Sequence, residues 1–394
     1  MFEDVIKNKA YEIKNELIKI RRDLHAHPEI KFQERRTAEL IAENLENLGL
    51  EVTKNVGNTG VVGLLRGKYP GKTILLRADM DCLKLEELNT VEYKSQYSGY
   101  MHACGHDAHV AWLIGAANIL QGLKEELHGN VKFIFQPAEE TGEGAKKCIE
   151  DGVMENPTVD AVIGAHIWPT VQAGKVGVKT GPLMAATDFF YITIYGQGGH
   201  GAIPDKCIDP ISVGCQVYSA FQTIVSRRLS PFDSAVVTVG KFSGGSACNI
   251  IPDSVELWGT VRLLNDKLED TIPELMENIL KGITEANGAT YKFKYERHHP
   301  TVINEESMTK LVEEAAIKIL GEEKIERLKV GTMAGEDFTH YQHIVPGTFF
   351  WMGTYNEEKG ISKPLHNPEF DIDEDVIHLT SAVMAEAAVE FLMK

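Results

Sequence analysis

Long apolar runs are missing from this sequence: no stretch of its 394 residues approaches the roughly 18 needed to cross a bilayer as a helix. Cysteine is sparse, and the six present (Cys82, Cys104, Cys148, Cys207, Cys215, Cys248) show no disulfide-like spacing. The N-terminal stretch MFEDVIKNKAYEIKNE is charged from its third residue and has no apolar segment of the kind a secretory signal needs. These absences predict a reduced, cytoplasmic protein. Positive charge is also short, with 40 Lys and Arg against 57 Asp and Glu, a formal net charge of −17. A chain this acidic repels phosphate backbones and anionic lipid, so neither nucleic acid nor a membrane is expected as a partner. Repeats and low-complexity tracts are absent too. What is there is 43% hydrophobic composition, enough for sizeable cores, over a length that suggests two domains.

Apolar residues at steps of three and four (Ile6, Ala10, Ile13, Leu17, Ile20, Leu24) predict an amphipathic helix that stops before Pro28. A second helix follows through Ala38, Ile41, Ala42, Leu45 and Leu48, ended by Gly49. His25 and His27 lie between them at a helix end, where histidines more often cap or hydrogen-bond than ligate. Strands are expected at Gly60 to Leu65 and Thr73 to Ala78, the latter delivering Asp79 and Asp81. A helix follows from about Asp107 to Leu123, then a strand ending at Pro137, a helix through Ile149, and a strand Ala161 to Ala165 with His166 at its end. Alternation of this kind implies a largely parallel sheet covered on both faces. From about residue 186 the order becomes β-α-β-β-α-β, that of a ferredoxin-like insert, and α/β character returns after Pro300. The expectation is an α/β chain with a discontinuous first domain (1–185 and 299–394) interrupted by a second (186–298).

The stretch FIFQPAEETGEG, Phe133 to Gly144, organises this reading: an apolar strand stops at Pro137 and presents two adjacent carboxylates, Glu139 and Glu140. Acids at the carboxyl end of a strand sit where α/β sheets bind ligands. Cys104 and His106, two residues apart, with Glu140, His166 and His366, are ligand types for zinc or a comparable divalent ion. Taken singly, a cysteine is usually a small core residue and a histidine a satisfied buried one; the convergence of separate segments argues otherwise. Five mixed ligands exceed one tetrahedral site and suit a two-metal centre, with the bridging ligand left open between thiolate, carboxylate and water.

The runs RADMD, MHACGHDAH, FQPAEETGEGA, GAH, GGHGAIPD, NIIPD, AGEDF and PLHNPEF, collinear over essentially the whole chain, resemble the aminoacylase/carboxypeptidase family of dinuclear metallopeptidases. More narrowly, they are similar to its amidohydrolase branch, which includes N-acyl-amino acid amidohydrolases, hippurate hydrolases and auxin-conjugate hydrolases. The resemblance implies two divalent ions per subunit (zinc, manganese, cobalt or nickel) held by Cys104, His106, Glu140, His166 and His366. It implies Glu139 as catalytic base and a lid domain that mediates dimerisation, the assembly being a homodimer or a homotetramer. One departure is that Cys82-Leu83-Lys84 follows RADMD where the branch usually has Ala-Leu-Pro, which bears on local loop shape and substrate fit.

The expected reaction is hydrolysis of the amide bond of an N-acyl-L-amino acid or related small conjugate, with a dipeptidase, an aminopeptidase or an N-acetyl-diaminopimelate deacetylase as the alternative. Glu139 would move the proton, and Asp79 or Asp81 would hydrogen-bond a metal ligand. His200, in a glycine-rich turn, would donate to the developing oxyanion, and Asn249 and Arg262 would hold the substrate carboxylate. Glu336 and Asp337 read as a structural pair near the site or as a helix N-terminal pair.

Overall fold

The computed structural model describes residues 2–394. The chain divides into two compact units, one formed by Met1–Gly181, Ile303–Val330 and Asp337–Lys394, the other by Pro182–Val302 with Gly331–Glu336.

In the first unit an eight-stranded sheet runs in the order Glu51–Val56, Gly60–Arg66, His128–Gln136, Tyr69–Asp79, Ala161–Gln172, Gly347–Tyr355, Val176–Val178, Ile325–Arg327. Its centre is parallel: Tyr69–Asp79 pairs in parallel with both His128–Gln136 and Ala161–Gln172, which in turn pairs in parallel with Gly347–Tyr355. Antiparallel pairing enters towards the edges, where Glu51–Val56 and Gly60–Arg66 form a hairpin. The edge strand EVTKNV alternates exposed and half-buried positions, too polar a pattern to announce itself in the sequence. The central strands are buried on both faces, as Ile74, Leu75 and Leu76 at 0% exposure illustrate. Ile74, Leu76, Phe133 and Phe135 join one core with the helices Glu3–Ala26, His106–Gln121, Glu306–Leu320 and Val376–Leu392.

In the second unit a four-stranded antiparallel sheet runs in the order Ala235–Gly244, Ser254–Leu263, Ala186–Tyr195, Thr290–His299. The helices Pro210–Thr223 and Thr271–Ala286 cover one face only. Phe190, Ile192 and Ile194 point into that core with Val217, Phe221 and Met276, while Phe189, Tyr191 and Thr193 are only half-buried, the period-2 signature of a one-sided sheet. The helix at Pro210 is capped by Asp209, whose carboxylate accepts from the Ile211 N–H at 2.9 Å.

Candidate metal centre

The strand His128–Gln136 ends one residue before Pro137, and the chain then turns through Ala138 in the left-handed region (φ 55°) into a tight 3-10 turn, Glu139–Thr141. A Cβ on Gly144 would lie 1.7 Å from the Pro137 carbonyl oxygen, so only glycine lets the helix Gly144–Glu150 begin that close. Two buried carboxylates clamp this turn. Asp81 accepts the N–H groups of Glu139 and Glu140 at 3.0 and 3.1 Å, and Glu34 accepts that of Ala138 at 3.0 Å and the Thr59 hydroxyl at 2.6 Å. Burial pushes Glu34 up to about 7. Nothing in the sequence flags Glu34, an acid ahead of a helix that otherwise reads as surface charge.

Cys104 and His106 flank Gly105, which is left-handed (φ 80°) and whose added Cβ would sit 2.0 Å from Ile167 Cδ1. The helix His106–Gln121 thereby starts against the strand Ala161–Gln172. That strand runs on past Ala165, so His166 lies within it rather than at its end. The reason is one-sided pairing: Tyr69–Asp79 leaves it at Gly164, while Gly347–Tyr355 continues to pair through Trp168 and beyond.

His166 donates from Nδ1 to the Ile167 carbonyl at 2.6 Å, which leaves the lone pair on Nε2, 3.4 Å from Cys104 Sγ. Burial lowers its pKa well below the usual value, keeping it neutral. His106 sits 3.9 Å (Nε2) from Glu140 Oε1, and neither of its buried ring nitrogens has a well-formed hydrogen bond. His366 takes the left-handed backbone (φ 61°), fastened by its N–H to the Ala103 carbonyl at 2.8 Å, and its Nε2 is 3.6 Å from Glu140 Oε1. Its side chain is 54% exposed, the least enclosed of the group.

These donors fit divalent ions. Edges of 3.4 to 3.9 Å between them match the roughly 3.3–3.8 Å separating ligand atoms on a tetrahedron with bonds of about 2.0–2.3 Å. Cys104, His106 and Glu140 each offer an atom within 4.8 Å of the others. Burial alone would strip His106 of its proton, yet Asp79, Asp81 and Glu140 outweigh it and hold its pKa up at about 10, while burial drives Glu140 upward. Three carboxylates thus converge on His106, a setting that favours a bound cation.

His109 also lies in this cluster and was not singled out by the sequence. Its Nδ1 faces Asp79 Oδ1 and its Nε2 accepts the Ile167 N–H at 3.1 Å. Both nitrogens are occupied, so His109 is a support and not a donor to metal. Burial favours the protonated form of Asp79, but His106, His109 and Arg77 hold it well below the usual carboxylate range. Fully buried Arg77 bonds Asp79 at 2.6 Å, Gln136 at 3.0 Å and Asp337 at 2.9 Å. Asp337 accepts the Ala145 N–H at 3.0 Å, so it caps a helix remote in sequence from itself. Its own carbonyl accepts the His340 N–H at 3.0 Å in the turn that opens the short helix Thr339–Gln342. Cys82 is 4% exposed, and its N–H bonds the Glu29 carbonyl at 2.9 Å, so the departure Cys82-Leu83-Lys84 opens with a packed, tethered residue.

In the second unit His200 and Asn249 come together. His200 pairs with Ile250 in a two-stranded ribbon, and the Gly201 N–H donates to the Asn249 carbonyl at 2.9 Å. Both side chains are exposed. Arg262 sits apart from them on Ser254–Leu263, bonded to the Thr260 hydroxyl and, at 3.2 Å, to the Val261 carbonyl, with its guanidinium 5.8 Å from the centre of the Phe189 ring. Glu336 is buried.

Among proteins of known kind, the chain is 40% identical over 393 residues to thermostable carboxypeptidase 1 of Saccharolobus solfataricus, covering 99% of this chain and 98% of that one. It is 45% identical over 306 residues to an N-acyl-L-amino acid amidohydrolase of Geobacillus stearothermophilus, covering 77% and 82%. The solved structure of the Bacillus subtilis YXEP protein, described as a dinuclear metal-binding peptidase of the M20 family, superposes with a TM-score of 0.86 at 37% identity over 97% of this chain and 99% of that one. The profile of peptidase family M20/M25/M40 matches residues 75–390, a span holding all five candidate donors, and this chain belongs to that family.

Proposed function

We propose that the protein hydrolyses the amide bond joining an acyl group to an amino acid that keeps its α-carboxylate free. The observation that carries this reading is the converging donor set of Cys104, His106, Glu140, His166 and His366, with Glu139 beside it on a turn fixed by Asp81. Divalent ions at these donors, with zinc, manganese, cobalt and nickel as the candidates, would supply Lewis acidity that polarises the amide carbonyl and acidifies water. Glu139 takes the proton from the attacking water and returns it to the leaving nitrogen, so that acyl carboxylate and free amine are the products. Asp81 fixes where Glu139 stands. His200 donates to the oxygen on which charge develops, and Asn249 and Arg262 hold the α-carboxylate. The second unit serves as lid and dimer contact in this proposal, with a homotetramer as a larger assembly.

The name of the Saccharolobus relative supports a second reading, release of a carboxy-terminal amino acid from a peptide. The two activities share the scissile nitrogen, that of an amino acid with a free carboxylate, and differ in what acylates it. A hydrolysis screen decides between them: acetyl-, benzoyl- and longer acyl-amino acids against dipeptides and longer peptides, with the four metals varied. Turnover of acyl-amino acids above peptides supports the proposal. Peptide preference establishes the second reading, and preference for substrates whose carboxylate is amidated overturns both.

A further inference from the structure

His25, set aside in the sequence as a helix-end histidine, is fully buried, and so is Arg21 one turn earlier on the helix Glu3–Ala26. Burying a guanidinium is costly unless it is paired on several sides. Arg21 is so paired: its Nε donates to Asp107 Oδ2 at 2.8 Å, its Nη2 to Asp371 Oδ1 at 2.9 Å, and its Nη1 reaches Glu374 at 3.4 Å. His25 adds a second span, with Nδ1 2.7 Å from Asp107 Oδ2 and Nε2 3.3 Å from Glu87 Oε1.

The partners are not scattered. Asp107 follows the ligand candidate His106 in the first turn of the helix His106–Gln121. Asp371 lies five positions past His366, on the same loop. Glu87 accepts the Ser95 N–H at 2.7 Å, and the loop it closes is tied to the His366 segment by Leu88 N–H to Pro368 O at 2.8 Å, Asn89 to Phe370 O at 2.8 Å and Tyr93 OH to Asp371 at 2.7 Å. A direct bond, His366 N–H to the Ala103 carbonyl at 2.8 Å, then joins the two ligand-bearing segments. The geometry points to Arg21 and His25 as positioning residues of the metal centre: they hold the Cys104–Asp107 segment and the His366–Asp371 segment in register through Asp107, Glu87 and Asp371.

The inference rests on the metal-centre reading above, and it explains a feature that reading leaves over. Left-handed His366, half exposed and on an irregular loop, is fastened by a single main-chain bond to Ala103, and the buried pairing of Arg21 with Asp371 braces the same loop. The guanidinium fork is essential to the arrangement, because it meets carboxylates in separate directions at once, whereas a lysine at position 21 is a point charge on a flexible stem. Both residues act from behind the donors, through the chain segments that carry them.

The test measures metal affinity by chelator competition on the full-length protein, alongside thermal unfolding of the metal-free form. Arg21→Lys and His25→Gln are compared with Lys132→Met, which removes a buried cation bonded to the loop carbonyls of Val153 and Glu155. Expected are affinities lowered by about 10–100-fold in Arg21→Lys and His25→Gln, the range for groups that orient ligands, and unchanged affinity in Lys132→Met despite a comparable fall in Tm. Affinity within twofold of wild type in both test variants overturns the inference, and so does equal loss in Lys132→Met, which would make the effect one of general destabilisation. If Arg21→Lys does not fold, His25→Gln alone carries the decision. Wild type that binds no divalent ion defeats the metal-centre reading itself, a different outcome from wild type that binds and variants that bind equally well.

Discussion

The candidate residues of the two units are held in opposite ways. In the first unit the donors stand among buried polar side chains, Arg77, Asp79 and Asp337 at 0% exposure and Asp81 at 1%, each bonded to another or to the backbone of the ligand-bearing turns. In the second, His200 and Asn249 are exposed and are fixed through main-chain pairing, with one local bond from the Ala202 N–H to His200 Nδ1 at 3.1 Å. The difference follows from sheet architecture. A parallel sheet buried on both faces can surround a charged site with further charges in a low-dielectric setting, whereas a sheet covered on one face offers its remaining positions to solvent. Positions that need accurate mutual distances, as metal ligands do, are found in the first environment.

The sharpest way to break this comparison is Glu139→Gln, which removes a base without disturbing the clamp on its main chain. Turnover on a substrate from the screen should fall about 10³–10⁴-fold while metal content and Tm stay at wild-type values. Activity retained, or metal lost together with activity, contradicts the role of base. Next in size, Cys104→Ala should lower metal affinity by more than the roughly 100-fold reached by groups that only orient ligands, with activity falling in step. Cys215→Ala in the second unit, at an exposed position, should change neither; full metal content in Cys104→Ala would remove the thiolate from the donor set.

His200→Ala probes the other side. Loss of one oxyanion donor should cost about 10²–10³-fold in kcat with metal affinity intact. If the donor acts across a two-fold dimer, co-folding this variant with Glu139→Gln yields mixed dimers in which one site carries both lesions and the other none, so activity reappears. A verified mixed dimer without recovery rejects action in trans, and a fully active His200→Ala rejects the oxyanion role.

The smallest effect concerns stability in the first unit away from the donors. Burial, assisted by nearby Lys14, lowers the pKa of His378 from 6.5 to about 4. The unfolded chain therefore takes up a proton that the folded one refuses between those values, so the contribution is complete above pH 6.5 and is lost as pH falls towards 4. His378→Gln should flatten the pH dependence of unfolding free energy across that window by about 1–2 kcal/mol, read from urea titrations of metal-free protein at pH 4.5 and 7. An unchanged slope would mean that His378 is protonated alike in both states.

Much of this protein was legible in its sequence because periodicity and ligand type are local properties. The stripe Ile6, Ala10, Ile13, Leu17 did become one buried helix face, and Cys104 and Glu140 lie beside a helix start and a strand end that the hydrophobic pattern locates, with His166 and His366 brought within 3.4 and 3.6 Å of them. Where the reading slipped, the cause was pairing that no single segment announces: His166 lies inside its strand because one neighbour ends before the other, and the strand Glu51–Val56 exists because Gly60–Arg66 gives its polar residues a ladder.

The sequence by itself determined the parallel α/β core and nominated the candidate donors with a spare carboxylate beside them, because those depend on residue type and spacing along the chain. Only the tertiary structure decided which other charges are buried with them. Arg77 sits in an apolar strand, Arg21 and His25 on an ordinary amphipathic helix, and Glu34 ahead of another, positions that read in isolation as surface charge. Their partners Asp337, Asp371, Asp107 and Ala138 lie 260, 350, 82 and 104 residues away along the chain. Whether a charge is exposed or buried and paired depends on contacts across such separations, and those exist only once the chain has folded.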